Sequence, residues 1–272
     1  MSDLTITDFV GEAWWFIAAV LIVGFAIQGV QRRRIRKRFG TGHRLHNSCE
    51  ILGPVRDRFQ LCAEGIYGPT DRSYWVVEGR FAAGAYPSKP GYTGSGQIPK
   101  PLELLLDTGI DVFINLTQDY PGGTDKRFTD SRYDPGAEGR AEIARYPVPD
   151  LHLPSCPLVG TEAGEAARRM HLTEEGCPHC PNDQSRAETR KILDRIDAAL
   201  DEGQNVYVHC WGGSGRTGTV VGCWLRRHDF VDADNVLGRL KILRRGDRKG
   251  WWKPTPNTEE QRKFIKGWEI GE

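Results

Sequence analysis

From residue 75 onward, short apolar runs alternate with amphipathic stretches. Trp75-Val-Val and Arg80-Phe-Ala-Ala-Gly read as a hairpin-like pair of short strands, and Asp111-Val-Phe-Ile-Asn-Leu116 as a buried strand. Ile143–Tyr146 and Asn205–His209 continue the strand series. Pro101–Thr108, Ala187–Leu200, Val231–Leu243 and Glu259–Trp268 carry helical spacing, the last two as a C-terminal helical cap. This alternation predicts an α/β domain, a central mostly parallel sheet flanked by helices, in about 200 residues that can bury a proper core. Proline- and glycine-rich Tyr86–Lys100 predicts a loop. Gly122–Gly139, rich in charge and small residues, predicts a mobile one near the mouth of a site.

One run has a different character. Ala13 to Val30 is 18 residues without a charge. At 1.5 Å per residue it spans about 27 Å, enough for the hydrocarbon core of a bilayer. Trp14 and Trp15 sit at one end, where an aromatic belt belongs. Asp3, Asp8 and Glu12 precede the run; Arg32, Arg33, Arg34, Arg36, Lys37 and Arg38 follow it. The positive-inside bias then puts the N-terminus outside and the remaining chain in the cytoplasm, where thiols stay reduced. The expected organisation is a tail (1–12), a transmembrane helix (13–30), a basic juxtamembrane linker (31–60) and a folded domain (61–272).

The formal charge of +1 hides this division. Setting aside the seven basic residues of Arg32–Arg44 and the three N-terminal acids leaves 30 basic against 33 acidic side chains. The folded domain is mildly acidic and carries no broad basic footprint for nucleic acid. The cluster after the span predicts contact with anionic headgroups.

The candidate chemistry lies in Val206-Tyr-Val-His-Cys-Trp-Gly-Gly-Ser-Gly-Arg-Thr-Gly218. A buried strand ends at a cysteine, a glycine-rich loop follows, and an arginine enters a helix. Such a loop turns its amides inward as an anion cradle, here with a thiol at the floor. Cys180-x5-Arg186 repeats the bare spacing, but has no glycine and no preceding strand, and is a decoy. In the Cys210 copy, the helix N-terminus, the ring of amides and a guanidinium all favour a thiolate nucleophile. Arg216 offers a bidentate phosphate clamp. The amides from Trp211, Gly212, Gly213, Ser214, Gly215 and Arg216 would cover the remaining phosphate oxygens. Thr217 would donate to the departing sulfur, and His209 reads as a hydrogen bonder that shapes the loop. A leaving oxygen needs a proton donor. Asp150, closing Arg145-Tyr-Pro-Val-Pro-Asp150, is the first candidate, with Asp134 and Asp111 as rivals and a solvated turn as the plain alternative.

His209-Cys210-x5-Arg216-Thr217-Gly218 resembles the signature of the cysteine-dependent protein tyrosine phosphatase superfamily, in its dual-specificity-like branch. The Gly-Gly loop resembles that of kinase-associated and bacterial members. The resemblance covers about residues 75–270 and implies phosphate-ester hydrolysis through phosphocysteine, without a metal or other cofactor. It also implies an acidic loop upstream of the cysteine, where Asp150 preceded by Pro149 fits. Asp150 and Cys210 are 60 positions apart, about twice the family's usual gap, which implies an insertion at about 153–180. Pro256-Asn-Thr-Glu-Glu-Gln261 resembles the segment that positions water for phosphocysteine hydrolysis, with Gln261 as the matching residue and Asn257 a second. The same residues also read as a helix start, and both readings stay open.

The expected substrate is a phosphorylated protein, with phosphotyrosine first and phosphoserine or phosphothreonine also open. A phosphoinositide or small phosphomonoester, and a non-hydrolysing phosphate-binding module, are the alternatives. Cys177-Pro-His-Cys180 is one CxxC pair, which Cys156 and His171 could join around zinc. Without a second clear pair, the expectation is cysteines in an exposed insertion and no metal.

Overall fold

The computed structural model describes residues 54–88, 98–118, 132–156, 180 and 183–272. These belong to one unit, Arg44–Glu272. The apolar run Ala13–Val30 lies outside the described residues, as does most of the expected insertion; no described helix is long and apolar enough to cross a membrane.

Five short strands form one mixed sheet: β1 (Ser73–Val77), β2 (Phe81–Gly84), β3 (Val112–Asn115), β4 (Glu142–Arg145) and β5 (Val206–His209), in spatial order β1-β2-β5-β3-β4. β1 and β2 pair antiparallel; the pairings β2–β5, β5–β3 and β3–β4 are parallel. The central β5 is buried along its whole length, which explains the unbroken apolar run Val206-Tyr-Val. The hairpin and the parallel strands expected from sequence are therefore both present. Register carries the functional consequence. Gly84 and Asn115 both pair with His209, and Arg145 pairs with Asn115. Four strand ends thus stand level, and the segments leaving them converge at one edge, where open α/β sheets bind ligands.

Seven helices are described: α1 (Val55–Arg58), α2 (Lys100–Asp107), α3 (Asp134–Ala137), α4 (Asp183–Asp201), α5 (Gly215–Arg227), α6 (Val236–Arg244) and α7 (Glu259–Lys266). α5 is buried from Gly215 to Leu225 and packs against α4, α6 and α7. Its Trp224 has no solvent exposure, meets Phe81 edge-on at 5.0 Å, and donates its indole N–H to Asp197 at 2.8 Å. A buried tryptophan with its one polar atom satisfied contributes large apolar area without a desolvation penalty.

Two details differ from the sequence expectation. α6 starts at Val236, because the Asp232 carboxylate accepts from the backbone N–H groups of Asp234 and Asn235 and turns the chain first. Within Gly122–Gly139, Asp134–Ala137 forms a helical turn, and Tyr133 before it is fully buried against Phe113. A tyrosine inside a polar run is weak as a periodicity signal but strong as an anchor.

Candidate active site

Cys210 follows β5 directly and is 3% exposed, at the floor of the loop that opens α5. Gly213 has φ +67°, and a Cβ there would lie 2.4 Å from the carbonyl carbon of Gly84. Only glycine satisfies both the left-handed backbone and that close approach. Gly84 is equally confined: a Cβ at this position would fall 2.4 Å from the Arg72 carbonyl oxygen.

The loop is braced from outside. Arg244, with no solvent exposure, donates from Nη1 to the Gly213 carbonyl at 2.7 Å, and Arg72 donates from Nη2 to the Gly212 carbonyl at 3.0 Å. Buried Asp247 joins the two arginines, accepting from Arg72 Nε at 3.2 Å and from Arg244 Nη2 at 3.4 Å. In a planar trans peptide the C=O and the next N–H point opposite ways. Holding the carbonyls of 212 and 213 outward therefore aims the amides of Gly213 and Ser214 into the loop. Thr255 Oγ1 donates to the Ser214 carbonyl at 3.2 Å, and Ser214 Oγ donates to the Pro254 carbonyl.

Burial opposes ionisation of the Cys210 thiol. The Arg216 guanidinium, the Thr217 hydroxyl and the Thr217 N–H together outweigh it and hold the thiol below its ordinary value. His209 goes the other way. Burial, with Arg145 and Arg216 adding repulsion, pushes it down to about 3. It is a neutral ring, with Nε2 2.7 Å from the Tyr133 hydroxyl. Tyr86 stands beside it, 5.4 Å from the His209 ring and 5.3 Å from Trp211, and makes an aromatic wall at the loop.

Arg216 is 2% exposed and reaches across three strand ends. Nη1 donates to the carbonyls of Val148 at 3.0 Å and Leu116 at 3.4 Å, while Nη2 lies 3.1 Å from the part-exposed Asp150 carboxylate. Cys210, Arg216, Thr217 and Asp150 are thus brought together. Of the rival carboxylates, Asp134 is engaged in an ion pair with Arg145 at the same sheet edge, and Asp111 accepts from the Asn205 N–H at 2.9 Å, at the opposite end of the sheet. The decoy arginine, Arg186, pairs with Glu272 and lies over Trp268.

Gln261 is fully buried and forms a capping box with Thr258. Its Oε1 accepts from the N–H groups of Asn257 at 3.1 Å and Thr258 at 3.3 Å, and its Nε2 donates to the His152 carbonyl at 3.2 Å. The helix-start reading of this segment is present in the geometry. The glutamine also ties α7 to the loop that carries Asp150. The exposed Asn257 stands over Gly215, its Oδ1 2.6 Å from where a Cβ would be. Sequence reasoning missed Arg72, Arg244, Asp247 and Tyr133. No local pattern around Arg244 or Asp247 marks a buried brace.

Residues 163–229, which include the cysteine loop, match the family described as "Polymorphic toxin system, DSP-PTPase phosphatase". The tyrosine-protein phosphatase cdc-14 of Caenorhabditis elegans is 31% identical over 85 residues, 31% of this chain and 11% of that protein. The chain thus matches about a ninth of that relative's length. Among solved structures, kinase associated phosphatase is 16% identical, with 68% of this chain and 83% of that one covered and a TM-score of 0.45. TpbA of P. aeruginosa is 15% identical, with 75% and 89% covered and a TM-score of 0.44.

Proposed function

We propose that this chain, a member of the cysteine-dependent protein tyrosine phosphatase superfamily in its dual-specificity-like branch, is a phosphoric monoester hydrolase acting on phosphoproteins. The observation that carries the proposal is the meeting of a thiol held below its ordinary value, a buried guanidinium and a carboxylate at one sheet edge.

The Cys210 thiolate attacks phosphorus, forming the S–P bond as the P–O bond to the leaving group breaks. The inward amides and Arg216 take up the charge on the phosphoryl oxygens. Asp150 gives its proton to the leaving oxygen. Before substrate arrives, Arg216 holds the Asp150 carboxylate. A phosphate dianion competes for that guanidinium, and its arrival releases the Asp150 carboxylate, which takes a proton from solvent and passes it to the leaving oxygen. Water then attacks the phosphocysteine with Asp150 as base, and the sulfur leaves as thiolate, stabilised by the Thr217 hydroxyl. Asn257, exposed at the loop, is the better placed group to orient that water; Gln261 has both ends of its amide engaged in holding the acid loop.

Cys210 lies deep and beside Tyr86 and Trp211, which favours the long, flat phosphotyrosine arm over phosphoserine. The apolar run Ala13–Val30 and the basic residues after it support reading the enzyme as a single-pass protein with its catalytic domain in the cytoplasm. The same basic cluster favours a phosphoinositide as the second reading. Against that, residues 211–215 contain no lysine or arginine for a further phosphate. The purified chain should hydrolyse an aryl phosphate without added metal, and Cys210→Ser should abolish turnover yet still bind phosphate. Binding without turnover by the wild type would make this a phosphate-binding module. Faster release from an inositol lipid than from phosphotyrosine peptides would favour the lipid.

A further inference from the structure

We propose that His152, Cys156 and Cys180 form a structural zinc site at the neck of the insertion, separate from the catalytic thiol. One donor atom from each residue lies within 4.8 Å of the other two, and all three side chains are buried, at 4 to 6% exposure. Tetrahedral zinc with sulfur ligands at ~2.3 Å and nitrogen at ~2.0 Å sets donors about 3.5–3.8 Å apart. Contraction by about 1 Å therefore converts this cluster into three ligands of a zinc tetrahedron, and a fourth donor completes it. Both cysteines are thiols in the structure. Two thiolates with one imidazole select zinc over the hard cations, which prefer oxygen. Binding releases the two thiol protons, so affinity falls as pH falls.

Three further observations point the same way. His152 and Cys156 are four positions apart, and Cys180 closes a Cys-x2-Cys pair in the sequence, the spacing of structural zinc ligands. The backbone between Asp150 and Cys156 is strained: Leu151 has φ +68° and Ser155 φ +56°, a region that non-glycine residues enter only when their surroundings hold them there. Finally, the cluster joins segments far apart in sequence. Cys156 ends the turn carrying the acid loop, and Cys180 stands just before α4, whose Ser185 hydroxyl donates to the Pro154 carbonyl at 2.7 Å. Metal binding here closes the neck of the stretch 157–179 and fixes His152, two residues from Asp150. The expectation of cysteines in an exposed insertion is corrected at Cys156 and Cys180: the structure buries both, against a histidine that pattern alone does not connect to them. The ion is a staple and takes no part in phosphoryl transfer.

The full chain, purified without chelator, should carry about one zinc per chain by elemental analysis. Cys210→Ser should keep that zinc even if the catalytic proposal fails, whereas Cys156→Ser and Cys180→Ser should each lose it. Should those two variants fail to fold, cobalt exchange into the wild type decides. Thiolate-to-cobalt charge transfer with intense tetrahedral visible bands is expected. Substoichiometric zinc together with no sulfur-to-cobalt bands, or a Cys156–Cys180 disulfide in the purified chain, would overturn the proposal.

Discussion

Replacing Arg72 with methionine tests whether the outer brace sets the geometry of the catalytic loop. The substitution keeps an apolar stem and removes two charge-assisted hydrogen bonds, to the Gly212 carbonyl at 3.0 Å and to Asp247 at 3.2 Å. Asp247 retains Arg244, so no buried charge is left alone. Hydrogen bonds to charged groups contribute about 1.5–3 kcal/mol each in buried settings. Arg72 is partly exposed, which discounts the pair to about 2–3 kcal/mol together. For a domain of this size, that lowers Tm by about 5–10 °C. Function should suffer separately. The Gly212 carbonyl is no longer held outward, so the following amide loses its fixed aim at the phosphoryl oxygens. Deleting a whole oxyanion donor costs about 10²–10³ in kcat, and loosening one should cost about 10–100-fold. Stopped-flow hydrolysis of an aryl phosphate, with Tm from calorimetry and the pH profile of Cys210 alkylation, gives the three readouts. A lower Tm with unchanged kcat/KM and an unchanged alkylation profile would show that the brace supports the fold and not the loop, and would refute the reasoning.

Two other outcomes follow from the same geometry. Asp150→Ala should lower kcat by about 10²–10⁴ for alkyl phosphates and much less for activated aryl phosphates, as loss of a general acid does. It should also tighten inhibition by inorganic phosphate, because Arg216 no longer holds a carboxylate 3.1 Å away; both effects are read from steady-state kinetics across a leaving-group series. His209 should make the fold sensitive to acid. Its folded value is pushed down to about 3, so below the unfolded value of ~6.5 the unfolded chain binds a proton that the folded chain refuses. Stability from this group is fully present above about pH 6.5 and falls by up to about 1.4 kcal/mol per pH unit on acidification toward 3. Urea unfolding at a series of pH values checks this, and His209→Gln should flatten that part of the curve.

The parts of this fold legible in sequence are those whose cause is local. Val206-Tyr-Val reads as a buried strand because both faces of β5 are covered. The loop reads as an anion cradle because Gly213 needs a backbone that only glycine tolerates. Asp150 is legible through its prolines and its place, and its carboxylate meets Arg216 in the structure. What stays hidden depends on partners distant in sequence. Arg72 and Arg244 look like surface charge until Asp247 and two loop carbonyls are seen between them. Tyr133 looks like loop composition until its hydroxyl meets His209. Cys156 and Cys180 look like loose insertion cysteines until His152 is found beside them, where spacing alone suggests His171.

The central claim is that Cys210 itself carries the phosphoryl group during turnover. Rapid acid quench of the wild-type chain reacting with an aryl phosphate, followed by peptide mass spectrometry, tests it most directly. A phosphate adduct on the peptide containing Cys210, formed within one turnover and absent in Cys210→Ser, is expected. Steady turnover with no adduct at Cys210, or an adduct on another residue, would contradict it.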